Sequence, residues 1–402
     1  MNNEPISTLI VLVFLILGAL ALFHPRLAGT ATWRATVTPL ASIIGSGFLV
    51  LAPLLVREFG VGAVLVMASL CAVAYAVGAA IRYTIHVSDE LKVQLSVAQA
   101  RIEATSDWAL AFAYVVSVCY YLNLLGAFAM SLTTVEDAFY SKLITSAVLI
   151  FIAMLGWRRG LHGLEKAETV TVGIKLAVIA GLLAGMTYYT GVQAQQGALQ
   201  LHDGHFNWDT IRLAFGLLIT VQGFETSRYL SEAYDPATRI RTMRYAQWIA
   251  STIYILYIGL AGLSFPSEDV GLRETAVIGM TEQISPILPI LLVAAALAAQ
   301  FSAAVADTNG CGGLAEEMSK GRVHSKHAYV GMALLALILT WTADIYQIIS
   351  YASRAFAVYY ALQCTLAALL SWRQGSSRAR TAGFTLLTML LIAAAVLGIP
   401  AE

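Results

Sequence analysis

Ile43-Ile44-Gly45-Ser46-Gly47-Phe48 interrupts the middle of an apolar stretch, residues 34–56, with Pro53 one to two turns later. A helix in lipid satisfies its own backbone, so such a break belongs there only where it faces protein or water. A second interruption, Gln222-Gly223-Phe224-Glu225, falls within the apolar stretch 208–228. The bland alternative is close helix packing through small residues, and it suits Gly181 and Gly185. Position argues against it for the two breaks. Five apolar stretches run from 34 to 190 and five more from 208 to 371, and each break lies in the first of its set. Paired interruptions at corresponding places of two halves point to a transporter's midplane substrate site. Unwinding frees N–H groups that attract a carboxylate and carbonyls that attract an ammonium group or cation, which suits a zwitterion.

The surrounding composition fits. The 402 residues are 58% hydrophobic and 12% charged with a formal balance of zero, whereas a soluble chain carries roughly 25% charged residues. That excludes disorder, a nucleic-acid binder reading through bulk positive charge, and an ordinary cytosolic enzyme. At about 20 residues per span, roughly twelve spans hold nearly all of the apolar residues. The stretches fall at 7–23, 34–56, 61–83, 108–131, 143–157 and 168–190. A second set falls at 208–228, 244–265, 286–310, 328–343, 345–371 and 379–398. The reading is an all-α polytopic membrane protein of about 12 transmembrane helices. It divides into an extra leading helix (1–33), two sets of five (34–190 and 191–371) and an extra trailing helix (372–402).

Met-Asn-Asn-Glu-Pro, at the start, lacks the basic residues of a signal peptide, so the first helix is expected to be retained. Of the 24 Lys and Arg, 18 lie in loops on one side and 4 on the other, while Lys175 and Arg354 fall inside spans. That split on alternate loops predicts both termini outside, or periplasmic. Short loops suggest a bacterial inner membrane. Residues 84–107 space Val87, Leu91, Leu95, Ala98 and Ile102 like an amphipathic helix on the cytoplasmic surface. In the polar external loop 191–209, His202 and His205 read as solvated residues in preference to metal ligands. Cys71, Cys119, Cys311 and Cys364 lie in or beside apolar segments and read as buried structural thiols. No cofactor or metal is expected.

Ionisable groups inside spans need a reason. Lys175, Glu225, Asp307 and Arg354 qualify. Lys175 and Asp307 lie at similar distances from the cytoplasmic side, so either they form a fixed ion pair or one of them carries a proton. Arg354 snorkels, pairs with Glu225 or another acid, or contacts an anionic substrate group; sequence does not choose.

At this point the motifs carry a family likeness. Ile44-Gly45-Ser46-Gly47-Phe48 through Pro53 resembles the first-helix signature of amino acid permeases of the amino acid–polyamine–organocation (APC) superfamily. Gln222-Gly223-Phe224-Glu225, with Ser231-Glu232, Asp235-Pro236 and Arg239 following, is similar to that family's sixth-helix pattern. Gly173-Ile174-Lys175-Leu176 extends the likeness. In sodium-independent members a lysine at the matching place fills the space of a sodium ion. The stretch from Gly310 to Arg322 is similar to the cytoplasmic end of the eighth helix. The resemblance covers about 34–371 and implies a leucine-transporter-like core of two inverted five-helix repeats, with the first and sixth core helices broken. There are departures. Ala74-Tyr75-Ala76-Val77-Gly78 lacks a glutamate that many relatives carry, Asp307 and Arg354 are unexpected, and the extra helices flank the core one on each side.

The leading reading is therefore a secondary active transporter of an amino acid or related amine. The resemblance implies that the substrate's amino group faces carbonyls of both breaks and its carboxylate faces N–H groups of the first. Ile44, Gly45, Ser46, Gly47, Phe48, Gln222, Gly223, Phe224 and Glu225 would line the site. Phe224 and Tyr121 are candidate gates, or core aromatics. Glu225 steadies the second break or carries a proton. Lys175 implies proton-coupled or exchange transport, and Ser302 keeps a sodium-coupled alternative open. A third possibility is a sensor that binds without transporting. A membrane-embedded enzyme lacks support, since neither G-x-S-x-G nor H-E-x-x-H occurs. The expected partners are the small-molecule substrate, the lipid bilayer and protons, with no nucleic acid. The chain itself is read as a monomer or homodimer.

Overall fold

The computed structural model describes residues 4–45, 47–133, 137–160, 165–204, 206–231, 233–266 and 275–400. The described chain is helical almost throughout. Its first half comprises α1 (Glu4–Leu22), α2 (Pro25–Ala28), α3 (Ala31–Ile43), α4 (Gly47–Phe59), α5 (Ala63–Ile85), α6 (Val97–Met130), α7 (Ala138–Arg159) and α8 (Glu165–Gln195). The second comprises α9 (Trp208–Gly216), α10 (Pro236–Ser264), α11 (Val277–Glu282), α12 (Leu288–Met318), α13 (Ser325–Thr342), α14 (Ile345–Arg373) and α15 (Arg378–Leu397). Among the described residues, nine helices are long and apolar enough to cross a membrane, or ten when α3 and α4 count as one bent span. The two remaining stretches differ for separate reasons. After α9 the chain tightens into 3₁₀ turns, Leu218–Val221 and Phe224–Tyr229, so no single helix fills the span. α13 opens on Ser325-Lys326-His327, which dilutes its apolar length. The short 143–157 stretch, by contrast, is the interior of α7, which starts earlier behind the Asp137 cap.

The separate surface helix expected over 84–107 does not form. α5 runs to Ile85, widens into a π turn at His86–Glu90, and an extended link leads to α6. A capping box between Ser96 and Gln99 fixes the start of α6. The periodic apolar residues are thus the ends of two long helices. Val87 packs on Leu366 and Leu370 of α14, with Leu95 and Ile102 beside them.

The loops sort to two ends of the bundle. At one end Arg239 pairs with Asp89 at 2.8 Å, Arg228 binds Glu103, Tyr229 donates to Asp107, and Arg373 donates to the Gln94 carbonyl. At the other, Val61 N–H donates to the His202 carbonyl, Gln200 N–H to Leu263, and Ile399 N–H to Arg212. The first end holds the arginine-rich loops. α4 finishes at Phe59, where Gly204 packs on its backbone, and α9 starts beyond it from that same end. The two broken helices therefore run in opposite directions.

The leading helix belongs to the core's flank. Gly181 would place a Cβ 2.9 Å from the Val11 carbonyl, and Gly185 one 2.7 Å from Val11 Cγ2. These glycines let α1 lie close on α8. Ser7 Oγ adds a hydrogen bond to the Ile284 carbonyl, 2.7 Å. The four cysteines are free and buried, as their apolar settings suggest.

Candidate functional site

A helix leaves its last carbonyls without intrahelical donors. α3 ends at Ile43, and Ile44 leaves helical geometry with ψ at 62°. The freed carbonyls are met by side chains from two other helices. Lys175 Nζ, on α8, donates to Ala41 O at 3.0 Å and to Ile44 O. Tyr254 OH, on α10, donates to Ile43 O at 2.7 Å. α4 then resumes at Gly47, bent 47° from α3. Close approach explains the glycine there, since a Cβ at Gly47 would stand 2.9 Å from Tyr120 Oη. Gly45 lies against the ring of Tyr121, 3.5 Å away by the same measure.

The second break is built on the same accounting. Ser353 Oγ, on α14, donates to Gly216 O at 2.6 Å, where α9 ends. Thr220 O accepts from Tyr254 OH at 2.8 Å. Gly223 adopts φ +115°, a left-handed conformation that only glycine takes freely. Its missing side chain lets its backbone rest on Ser42 and Ile43 of α3, so the two breaks touch. Glu225, fully buried at 0% exposure, holds this turn. Its Oε2 accepts from Gly223 N–H at 2.9 Å and from Tyr360 OH at 2.6 Å. Phe224 stacks on Tyr360, ring centroids 5.2 Å apart. Gln222 Nε2 donates to Tyr121 Oη at 3.2 Å. That contact brings α6 to the site. Phe48 lies between Tyr254 and Tyr257, at 5.6 and 4.3 Å.

The arrangement thus collects Ile44, Gly45, Gly47, Phe48, Tyr121, Gln222, Gly223, Phe224, Glu225 and Lys175 around one point of contact between the breaks. Ser46 lies outside the described residues, as does His205 of the external loop. Gln222 Oε1 and Glu225 Oε1 are buried acceptors without a hydrogen-bond partner. Unpaired buried acceptors are costly, so this centre is suited to a donor-bearing ligand such as an amine.

Asp307, on α12, is buried and accepts from Ser117 Oγ of α6, while Ser302 sits partly exposed more than a turn away. Arg354 is not brought to the breaks. It donates through Nε and a terminal N–H to Gly398 O, past the end of α15. This partner is a backbone carbonyl at a helix end, which is neither an acid nor a substrate group. Arg239 serves the second break at a distance, donating to Arg228 O at 2.8 Å beside its Asp89 pair. Asp235 caps α10, and hydrogen bonds from the Thr238 hydroxyl and backbone hold its carboxyl below the usual range. Gln247 fills the room left by Gly78, donates to Ala74 O and accepts from Arg82. Neither of two surface pockets, about 500 Å³ beside Trp372 and about 480 Å³ beside Asp89, includes a residue of either break.

Tyr254, Tyr360, Ser353 and Gln247 were not singled out by sequence. A tyrosine or serine within an apolar span carries a polar tip that must find a partner, but which partner depends on packing between distant helices.

A model of APC superfamily transporters matches residues 25–398. An uncharacterized protein of Aquifex aeolicus (strain VF5) is 39% identical over 399 residues, covering 98% of this chain and 97% of its own length. Among solved structures, a Na+-coupled sialic acid symporter in a substrate-bound outward-open state aligns with a TM-score of 0.55 over 99% of this chain and 98% of its own. At 13% sequence identity that likeness concerns the fold alone.

Proposed function

The chain belongs to the APC superfamily of transporters, and from that premise we propose that it is a secondary active transporter of an amino acid or related amine, working by alternating access. One observation carries the substrate class. The two breaks meet at a buried centre where Gln222 Oε1 and Glu225 Oε1 stand as unpaired acceptors beside the freed carbonyls of α3. An ammonium group supplies the donors such a centre lacks. N–H groups at the start of α4 would face the substrate's carboxylate.

The coupling is to protons or to exchange. Lys175 supports this, because its ammonium already meets the Ala41 and Ile44 carbonyls that would otherwise attract a cation. Glu225, held by Gly223 and Tyr360 but with one oxygen unpartnered, is the proton carrier nearest the breaks. Residues 34–190 and 191–371 act as the two inverted repeats, and the antiparallel run of their first helices supports the division. The arginine-rich end faces the cytoplasm of a bacterial cell, with both termini outside the inner membrane.

The test is binding by the purified protein of a panel of radiolabelled amino acids and amines, with Gln222→Ala and Glu225→Gln alongside. The reading expects at least one amine-bearing compound to bind, and expects Gln222→Ala to weaken it about tenfold through loss of a buried polar contact. With amine-free organic acids and sugars added to the panel, binding only by those compounds would overturn the substrate class. Binding without flux into proteoliposomes would favour a sensor.

A further inference from the structure

We propose that Tyr254 is a positioning residue that couples the two helix breaks, its single hydroxyl hydrogen shared between a carbonyl of each. The inference rests on the reading that the breaks move during transport. Other side chains also satisfy freed carbonyls. Lys175 meets Ala41 O and Ile44 O of the first, and Ser353 meets Gly216 O of the second. Tyr254 meets both, at 2.7 Å from Ile43 O and 2.8 Å from Thr220 O.

A phenol carries one O–H, so two carbonyls within hydrogen-bond distance share one donor. The residue is 1% exposed and packed beside Phe48, which keeps solvent from relieving either oxygen. Gly223 already sets its backbone against Ser42 and Ile43, so the two carbonyls are held together from both sides. Separating the breaks takes the hydroxyl from one carbonyl and leaves that group bare in a buried setting, which is strongly disfavoured. The breaks therefore shift together or stay closed. Tyr254 belongs to α10, which packs against α3, α4, α5 and α8, so the coupling sits on an anchored helix.

Hydrogen exchange of the full-length protein in nanodiscs tests this without any substrate, so its outcome is separate from that of the transport reading. Four forms are compared: wild type, Tyr254→Phe, Lys175→Ala and the double variant, with 4-aminophenylalanine at position 254 as a fifth. Tyr254→Phe is expected to raise exchange severalfold in both 40–45 and 216–223, the effect of losing one buried hydrogen bond that the two segments share. Lys175→Ala alone is expected to loosen both segments, but in the Tyr254→Phe background only 40–45 should respond further. The aromatic amine, which offers two N–H donors, is expected to restore both. The proposal is overturned if Tyr254→Phe leaves either segment unchanged, or if the Lys175→Ala effect still reaches 216–223 without the hydroxyl. Failure of the amine to restore either segment also counts against it. A rise spread equally along α5 and α12 would indicate general loosening and would likewise overturn it.

Discussion

Gly223 shows how little room a single position leaves. A Cβ there would stand 2.5 Å from Ser42 Oγ and 2.6 Å from the Ser42 carbonyl carbon, on a backbone at φ +115°. Gly223→Ala therefore combines left-handed strain with overpacking, and roughly 2–4 kcal/mol of destabilisation is expected in a denaturant or thermal melt. Glu225 allows a sharper contrast. Glu225→Gln keeps an acceptor for Gly223 N–H and Tyr360 OH, whereas Glu225→Ala leaves both donors unpaired. The alanine variant is expected to lose about 2–4 kcal/mol and the glutamine variant less than half of that. Equal losses would show that the carboxylate's charge, and not its hydrogen bonding, shapes the turn. Gly45, Gly47, Gly223 and Glu225 were legible because glycine and charge inside a lipid span have few explanations. Tyr254 and Tyr360 were not, because the same residue type packs harmlessly at most of its 18 positions in this chain.

Among the elements, the outer helices are held by devices of different kinds. α1 lies on α8 through Gly181 and Gly185, so Gly181→Leu pushes the two apart against the Val11 carbonyl. Lower thermal stability with the core contacts intact is the expected result, at roughly 1–3 kcal/mol. The end of α15 is held by charge. Arg354 donates twice to Gly398 O and Arg212 Nε donates to Leu397 O at 3.1 Å, which fixes the chain against the end of α9. Arg354→Ala is expected to raise hydrogen exchange near Ile399, and unchanged exchange there would deny the clamp. Sequence gave the position of Arg354 but not its partner, since a carbonyl beyond another helix leaves no trace in composition. The 84–107 segment misled for a related reason. Three- and four-residue apolar spacing marks any half-buried helix, and here it marks the ends of α5 and α6 meeting α14. The 3₁₀ turns after α9 were announced only by Gly223, because 3₁₀ and α-helical segments draw on the same residues.

At the scale of the molecule, described loops meet at two ends of the bundle. The arginine-rich end is tied by Arg239 to Asp89 and Arg228 to Glu103, and the other by backbone pairing of 60–61 with 202–203. The orientation proposed from the charge rule is open to a direct check. The native cysteines are buried, so single cysteines introduced as Gln374→Cys and Gln196→Cys carry the signal alone. An impermeant thiol reagent added to intact cells is expected to label the second and not the first; the reverse would invert the topology. The polytopic helical class and the two breaks were readable from hydropathy and glycine placement, whereas nine or ten of the roughly twelve expected spans qualify among the described residues. The way α8, α10 and α14 each lend a side chain to the unwound backbone was not, because those contacts join residues more than 30 positions apart.

The most direct measurement is uptake of the panel of amino acids and amines into proteoliposomes under separately imposed proton and sodium gradients, with Lys175→Ala beside the wild type. Proton-driven or exchange uptake by the wild type, lost in Lys175→Ala, is the expected result. Uptake that needs a sodium gradient, or that survives Lys175→Ala undiminished, would contradict the role given to the lysine at the first break.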